Sequence, residues 1–269
     1  MNNEEPKLLP PYEVRPYSLV MSQKVEKVEA LAFSKYLAGL VKKHARTPVR
    51  KVLELCPSED QSNSVALRKL GFEVATIVVG SETQAVGRSK DGKRRYVVGE
   101  ALHFPEETVR GKPFDAAVLT LGCFSQATLQ EEVRDLLVNV RSLLTTEGLV
   151  VVEAWHLGGV DPRATEPQGS KDWRQLERDG VTMTVLTHSF LDLPRSLLDV
   201  EVTHILKKAQ DDWTQYKETY VWRVYSLREL ADLFDGAGLE EQAFYKLNSF
   251  DPPSVDTLRV SCVCLNKQS

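Results

Sequence analysis

The stretch that decides the fold is VLELCPSED, residues 52–60. A short apolar run contains Glu54 and is followed by a polar loop. Apolar runs of this length are typical of strands that are buried in a sheet. In α/β proteins, nucleotide-like ligands bind at the carboxyl ends of such strands, in loops that are usually rich in glycine. This loop contains no glycine, so the sequence raises the question of whether it still binds a ligand.

The composition is that of an ordinary globular protein. The chain has 269 residues, of which 42% are hydrophobic and 27% are charged, and its formal net charge is −4. This acidic balance does not favour binding to phosphates, so we do not expect a nucleic-acid partner. Residues 90–95 contain a short basic cluster around an Asp-Gly pair, which we interpret as a solvated loop.

Neither membrane insertion nor secretion is indicated by the sequence. No apolar run approaches the roughly 20 residues of a membrane-spanning helix, and residues 1–11 lack the features of a secretion signal. We therefore expect a cytoplasmic protein with reduced cysteines. Cys262 and Cys264 alternate with valine and are predicted to lie on one buried strand face. No Cys/His spacing indicates a metal site.

Helical and strand patterns alternate along the first part of the chain. Residues 25–41 have apolar side chains at helical spacing, and residues 128–144 form a longer amphipathic pattern. Besides the first strand, four more are predicted: EVATIVV (73–79), RYVVG (95–99), FDAAVLTL (114–121) and GLVVVEAW (148–155). This alternation predicts a doubly wound, mostly parallel sheet with helices on both faces.

The pattern changes after Trp155. Residues 156–180 are polar, with scattered Gly and Pro, and three segments with period-two alternation follow, at 181–192, 197–208 and 215–225. Because no helix separates these segments, they are predicted to form an antiparallel sheet. A helix capped by Ser226 follows, with Glu229 placed as in a capping box, and two final strands are predicted to pair antiparallel.

From about residue 25 to residue 267, this order of elements resembles the class I S-adenosylmethionine-dependent methyltransferases. It is most similar to the small-molecule enzymes that insert an antiparallel sheet as a lid between the fifth strand and the last helix. The resemblance implies a Rossmann-like sheet of seven strands. It also implies an N-terminal arm at 1–23, a methyltransferase-like domain at 24–155 and 226–269, and an inserted lid at 156–225.

The same resemblance implies transfer of a methyl group from S-adenosylmethionine to a nitrogen or oxygen atom of a small molecule. The implied partner is a small-molecule substrate, without a membrane; a protein partner or a homodimer stays open. The alternative is a catalytically inactive methyltransferase-like protein that acts as a partner subunit or binding scaffold. A dinucleotide dehydrogenase is disfavoured, because the Gly-x-Gly-x-x-Gly turn is missing.

Two of the three segments that the resemblance assigns to the cofactor are degenerate. Glu54 keeps the family's acidic position, but Cys56, Ser58 and Asp60 stand where the family has glycine. The residue that matches the family's ribose-binding acid at the end of the second strand is about Val78, which cannot accept a hydrogen bond, and we do not expect Glu82 to replace it.

The third segment matches better. Gly99 and Glu100 resemble the family's adenine-binding pair, and Ala101 is expected to flank the ring. Leu121 and Gly122, at the end of the fourth strand, would lie beneath the sulfonium. The cofactor-binding residues implied are therefore Glu54, Cys56, Ser58, Gly99, Glu100, Ala101, Leu121 and Gly122.

Two residues are candidates for catalysis. His156 follows the fifth strand at the ligand-binding edge of the sheet, where it is either a base or substrate contact or a loop histidine. Arg223 either holds an anionic substrate group or pairs with Glu218 or Glu229. His204, in a predicted lid strand, is interpreted as a residue that forms cross-strand hydrogen bonds.

Overall fold

The computed structural model describes residues 23–56, 63–79, 87–88, 94–98, 112–125, 127–178, 181–207 and 213–267. The chain divides into two compact units. The core unit comprises residues 30–159 and 223–269, and the insert comprises residues 160–222 together with the residues before Ala30. Among the described residues, no helix is both long and apolar enough to cross a membrane, and no group of three His, Cys, Asp or Glu side chains is placed to hold a metal ion.

The helices and strands alternate along the chain as the sequence predicts. The helices are α1 (Gln23–His44), α2 (Ser64–Lys69), α3 (Leu121–Phe124), α4 (Gln130–Ser142) and α5 (Leu227–Gly236). The strands of the core unit are β1 (Lys51–Cys56), β2 (Glu73–Val79), β3 (Gly87–Arg88), β4 (Arg94–Val98), β5 (Phe114–Leu119), β6 (Leu144–His156), β11 (Leu239–Lys246) and β12 (Arg259–Asn266). The strands of the insert are β7 (Ser170–Arg178), β8 (Val181–Asp192) and β9 (Leu197–Lys207), and β10 (Trp213–Tyr225) continues from the insert into the core unit.

The core sheet has the strand order β3–β4–β2–β1–β5–β6–β12–β11. Strands β4, β2, β1, β5 and β6 are parallel, and β12 is antiparallel to both of its neighbours. Apart from the two-residue β3, which pairs antiparallel with β4, this is the predicted mostly parallel sheet of seven strands. The fold-class prediction is therefore confirmed.

Helices cover both faces of the core sheet. On one face, Leu136, Leu137 and Val140 of α4 and Leu233 and Phe234 of α5 pack against inward-facing residues of β1, β5, β6 and β12. On the other face, α1 and α2 pack against the alternate residues of the same strands. Cys262 and Cys264 lie in the first of these clusters and are completely buried, which confirms their interpretation as core residues.

The insert contains an antiparallel sheet in the order β10–β9–β8–β7. The strands predicted at 181–192, 197–208 and 215–225 are present, but β7 lies within residues 156–180, where no strand was predicted. β7 has the sequence SKDWRQLER and is the edge strand of this sheet. An edge strand needs no apolar alternation, and charged side chains protect it from pairing with other chains, so the pattern used for the other strands missed it.

The carboxyl edge of the core sheet is uneven. Leu55 of β1, Leu119 of β5 and Val152 of β6 lie at the same level, whereas β6 continues to His156, about 13 Å further along the strand direction. Along this overhang, Val224 and Tyr225 of β10 pair in parallel with Trp155 and His156. His156 is therefore the last residue of a strand, and the sequence placed it wrongly in the loop that follows.

Candidate active site

Glu54 is completely buried near the carboxyl end of β1. Its Oε1 atom accepts a hydrogen bond of 2.6 Å from the backbone N–H of Asn63, and its Oε2 atom accepts one of 3.4 Å from the Thr76 hydroxyl group on β2. The short bond to a backbone donor is typical of an ionised carboxylate. Glu54 thus fixes the backbone at Asn63, the first described residue after Cys56.

The ends of β1 and β5 are joined beyond their regular pairing. Thr120 donates to the carbonyl group of Leu55 twice, from its backbone N–H at 3.1 Å and from its hydroxyl group at 3.2 Å. Helix α3 begins at the next residue, and the Cys123 N–H bonds to the Thr120 carbonyl group. The backbone at Leu121 and Gly122 is therefore fixed directly beside the end of β1, where Cys56 lies.

Val78 is an internal residue of β2, because it pairs with Cys56 on one side and Val97 on the other. The strand continues to Val79. The position that would hold a ribose-binding acid is thus occupied by valine within regular strand. Glu82 lies outside the described residues.

His156 is held by the segment that precedes β12. Its Nδ1 atom lies 2.7 Å from the carbonyl oxygen of Thr257, and its backbone N–H donates to the Leu258 carbonyl group at 2.8 Å. A carbonyl oxygen only accepts, so the proton of the ring is on Nδ1, and in the neutral ring Nε2 has the lone pair. The side chain is mostly buried, at 9% exposure. His156 is thus oriented as a hydrogen-bond acceptor at the sheet edge.

Glycine at position 158 is required by this arrangement. A Cβ atom at Gly158 would lie 2.7 Å from His156 Cε1 and 2.9 Å from the Val255 carbonyl oxygen. These distances are shorter than van der Waals contact, so only glycine leaves the imidazole ring in place.

Arg223 is a buried residue that links three segments of the core unit. Its guanidinium group donates to the carbonyl oxygen of Thr128 at 2.8 Å and to Glu229 Oε1 at 2.7 Å. Its backbone N–H donates to the carbonyl group of Ser125 at 2.9 Å. The ion pair with Glu229, one of the two alternatives inferred from the sequence, is confirmed.

Three buried polar atoms around Arg223 have no hydrogen-bond partner among the described residues. They are Ser125 Oγ, Arg223 Nε and the hydroxyl group of Tyr225, whose ring lies 5.6 Å from the guanidinium carbon. Burial raises the pKa of Tyr225, and the positive charge of Arg223 lowers it by less. The Tyr225 hydroxyl group therefore stays protonated, and this corner of the sheet edge has donors and acceptors to offer a polar ligand.

The structure describes only part of the predicted site. It brings the backbones of Cys56, Leu121 and Gly122 together at the ends of β1 and β5. Ser58, Gly99, Glu100 and Ala101 lie outside the described residues. Three residues of the site were not identified from the sequence. Asn63 contributes a backbone N–H, Thr257 a backbone carbonyl group, and Gly158 the absence of a Cβ atom. No side-chain pattern indicates contributions of this kind.

Comparison with known proteins gives a fold but no close relative. No protein-family model matches the sequence, and no curated protein does. Solved structures match over nearly the whole chain. One is an amino pentose methyltransferase with bound S-adenosylmethionine, involved in calicheamicin biosynthesis in Micromonospora echinaspora. It has a TM-score of 0.68 and 15% sequence identity, and the match covers 92% of this chain and 98% of that chain.

Two further structures agree with this match. A sugar N-methyltransferase from a Streptoalloteichus species has a TM-score of 0.65 and 15% identity, covering 97% of this chain and 98% of that one. An S-adenosylmethionine-dependent methyltransferase from Clostridium acetobutylicum has a TM-score of 0.66 and 9% identity, covering 91% and 95%. The chain therefore has the class I methyltransferase fold.

Proposed function

We propose that this protein transfers a methyl group from S-adenosylmethionine to a nitrogen or oxygen atom of a small molecule. The observation that carries the proposal is the strand order of the core sheet, together with the buried Glu54 near the carboxyl end of β1. Ligands bind at this edge in doubly wound sheets. The solved structures with this fold include methyltransferases of sugars and amino sugars, which favours a small molecule as the acceptor. A cytoplasmic place of action is part of the same proposal and follows from the sequence alone.

The cofactor would be held along the ends of β1, β4 and β5. We assign Cys56 and Ser58 to the amino-acid part, Gly99, Glu100 and Ala101 to the adenosine, and Leu121 and Gly122 to the region of the sulfonium. Glu54 acts through the loop, since both of its oxygen atoms already accept protein hydrogen bonds. The donors described at this edge, from Asn63 and Thr120, are already bound to Glu54 and Leu55, so we assign the cofactor contacts to the residues named above.

The cofactor supplies an electrophilic methyl group, and this chain must align the acceptor and remove its proton. His156 suits the second task, because the Thr257 carbonyl group holds the proton on Nδ1 and leaves the Nε2 lone pair to accept one. Arg223 suits a positioning role, because its terminal nitrogens already bind Thr128 and Glu229.

Val78 lowers the affinity for the cofactor. A missing charged hydrogen-bond partner costs about 1.5–3 kcal/mol, or roughly one to two decades in Kd.

Calorimetry with S-adenosylmethionine and S-adenosylhomocysteine tests the proposal. We expect both to bind, with Kd values of roughly 10–100 μM, because the ribose partner is missing. Glu54→Gln keeps the shape and an acceptor for the Asn63 N–H but removes the negative charge, so we expect it to weaken binding about tenfold.

Asp115→Asn is the matched control. Asp115 also accepts backbone N–H groups, from Arg50 and Lys51 at 2.8 Å, but at the opposite end of the sheet. We expect no change in affinity for this variant. Absence of heat with either ligand at millimolar concentration would exclude the enzyme and leave the alternative, a methyltransferase-like binding scaffold or partner subunit.

A further inference from the structure

The insert has a cluster of polar side chains beside buried apolar residues on one face of its sheet. On β8 and β9 this face contains Met183, Val185, Val200 and Leu206, all of them buried. His204 lies between Val202 and Leu206 in the same alternation and is 6% exposed. Burying a polar ring among apolar side chains is unfavourable unless its hydrogen bonds are made, so this position calls for a specific explanation.

Hydrogen bonds to β10 account for one side of the ring. His204 Nε2 lies 3.0 Å from Glu218 Oε2, and the hydroxyl group of Tyr220 donates to the same oxygen atom at 2.8 Å. The carboxylate is an acceptor, so Nε2 has a proton and donates it. In the neutral ring, Nδ1 is therefore the atom with the lone pair.

The other side of the ring has no hydrogen-bond partner among the described residues. His204 Nδ1 is buried and makes no hydrogen bond to any residue that the structure describes. The neighbouring rings of Tyr220 and Trp222 are stacked, with centroids 5.2 Å apart and planes at 20°. A buried acceptor atom, on a ring that a carboxylate holds from its other side, suits a hydrogen-bond donor. An amine is such a donor, and a protonated amine is also attracted to aromatic ring faces.

We propose that His204, Glu218 and Tyr220 form a binding site for an amino group of a small molecule. The identification of this molecule as the methyl acceptor rests on the proposed function, but the site itself does not. His204 Nδ1 accepts a hydrogen bond from the amine, Glu218 accepts the Nε2 proton and so keeps Nδ1 as an acceptor, and Tyr220 fixes the carboxylate. A cluster that served only to hold β9 to β10 would not leave a buried ring nitrogen unpaired.

Methylammonium, without cofactor, is the probe for the test. The chain has five histidines and four tryptophans, so NMR signals of the His ring protons and the Trp indole groups are few enough to resolve. Methylammonium chloride replaces sodium chloride up to 100 mM at constant ionic strength. We expect saturable shifts of the His204 and Trp222 signals, with a Kd on the order of 10 mM, near the limit for a ligand of two non-hydrogen atoms.

Three variants make the result specific. Glu218→Gln keeps the shape of the cluster and His204→Leu fits the apolar row, and both are expected to abolish the shifts. Glu201→Gln is the control, since Glu201 is a carboxylate on the opposite face of β9 that pairs with Lys217 at 3.0 Å; it is expected to leave the shifts unchanged.

Thermal unfolding of the same variants separates binding from a structural role. His204→Leu removes the donor to the mostly buried Glu218 carboxylate and is expected to melt below the wild-type protein, whereas Glu218→Gln keeps an acceptor for His204 and Tyr220 and is expected to melt close to it, so the loss of shifts in Glu218→Gln reports binding. The proposal is overturned by the absence of saturable shifts in the wild-type protein, or by shifts that persist in Glu218→Gln. This test does not use the cofactor. Its outcome is therefore independent of the calorimetry that tests the proposed function.

Discussion

At the scale of single residues, the most informative side chain is His156. Its type and approximate place were evident from the sequence, but its protonation was not. The partner that fixes the proton, the Thr257 carbonyl group, is 101 residues away, and every residue has a carbonyl group. The Arg223–Glu229 pair was predictable as one of two alternatives, because both residues lie near the start of a capped helix. The choice between Glu218 and Glu229 depends on the three-dimensional fold and was not predictable from the sequence.

We expect Gly158→Ala to displace His156. The new methyl group would overlap Cε1 of the ring and the Val255 carbonyl oxygen, so the ring must move away from Thr257. Overpacking of this kind costs about 1–3 kcal/mol of unfolding free energy, measurable by urea denaturation, and the Nδ1 proton should lose its protection from exchange in NMR spectra. Gly236→Ala is the control, since nothing lies within 4 Å of its Cβ position. An unchanged Nδ1 proton signal in Gly158→Ala would contradict the prediction.

Tyr36 gives a prediction for alkaline pH. Its pKa is raised to about 12, chiefly by burial and further by the charge of Glu153. Between pH 10 and pH 12 the unfolded chain loses this proton while the folded protein keeps it, so stability falls with rising pH over this range. Tyr36→Phe is expected to show a smaller loss of unfolding free energy between pH 9 and pH 11. Equal losses in the variant and the wild-type protein would show that Tyr36 titrates normally.

At the scale of elements, α5 shows how a predicted motif is altered by its neighbours. Ser226 caps the helix as expected, accepting the Glu229 N–H at 3.1 Å. The reciprocal bond, from the Ser226 N–H to the Glu229 carboxylate, is not seen among the described residues; Glu229 Oε1 instead accepts from Arg223 at 2.7 Å. A local sequence rule therefore gave the start of the helix correctly and the bonding of its third residue only in part.

The buried ion pair between Arg223 and Glu229 is expected to contribute much more to the unfolding free energy than the exposed pair between Arg228 and Asp232. Arg223→Met leaves Glu229 half-buried without its partner, which is expected to lower the unfolding free energy by about 3 kcal/mol in urea denaturation. Arg228→Ala breaks the ion pair with Asp232, in which the two side chains are 86% and 59% exposed. This variant should change the unfolding free energy by less than about 0.5 kcal/mol. Similar effects in both variants would mean that Arg223 does not link β10 to α5.

At the scale of the whole molecule, the mostly parallel sheet was predictable because buried runs and helical stripes alternate clearly from Lys51 to Trp155. The antiparallel pairing of β11 and β12 was predicted as well, but the position of β12 between β6 and β11 was not, since two antiparallel strands can add to a sheet in several ways. The edge strand β7 and the overhang of β6 were missed, because neither has an apolar pattern of its own.

The central place of β12 gives a prediction about global stability. Cys262 and Cys264 are completely buried, with β6 on one side of the strand and β11 on the other, and burial raises the pKa of both thiols. We expect pulsed thiol labelling, read by mass spectrometry, to modify both cysteines only through global unfolding. The opening free energy obtained from labelling should therefore fall with urea concentration at the same slope as the unfolding free energy obtained from circular dichroism. A shallower slope would indicate that β11 detaches on its own.

The bond between Glu54 and the Asn63 N–H bears on how this region of the chain can evolve. Residues nine apart in the sequence are fixed to each other by a carboxylate, and the backbone between them has a set span to cover. Replacing a glycine in such a segment leaves the number of residues unchanged, whereas adding or deleting a residue would pull Asn63 away from Glu54. We therefore expect orthologues to differ freely in the composition of this segment and to keep its length constant.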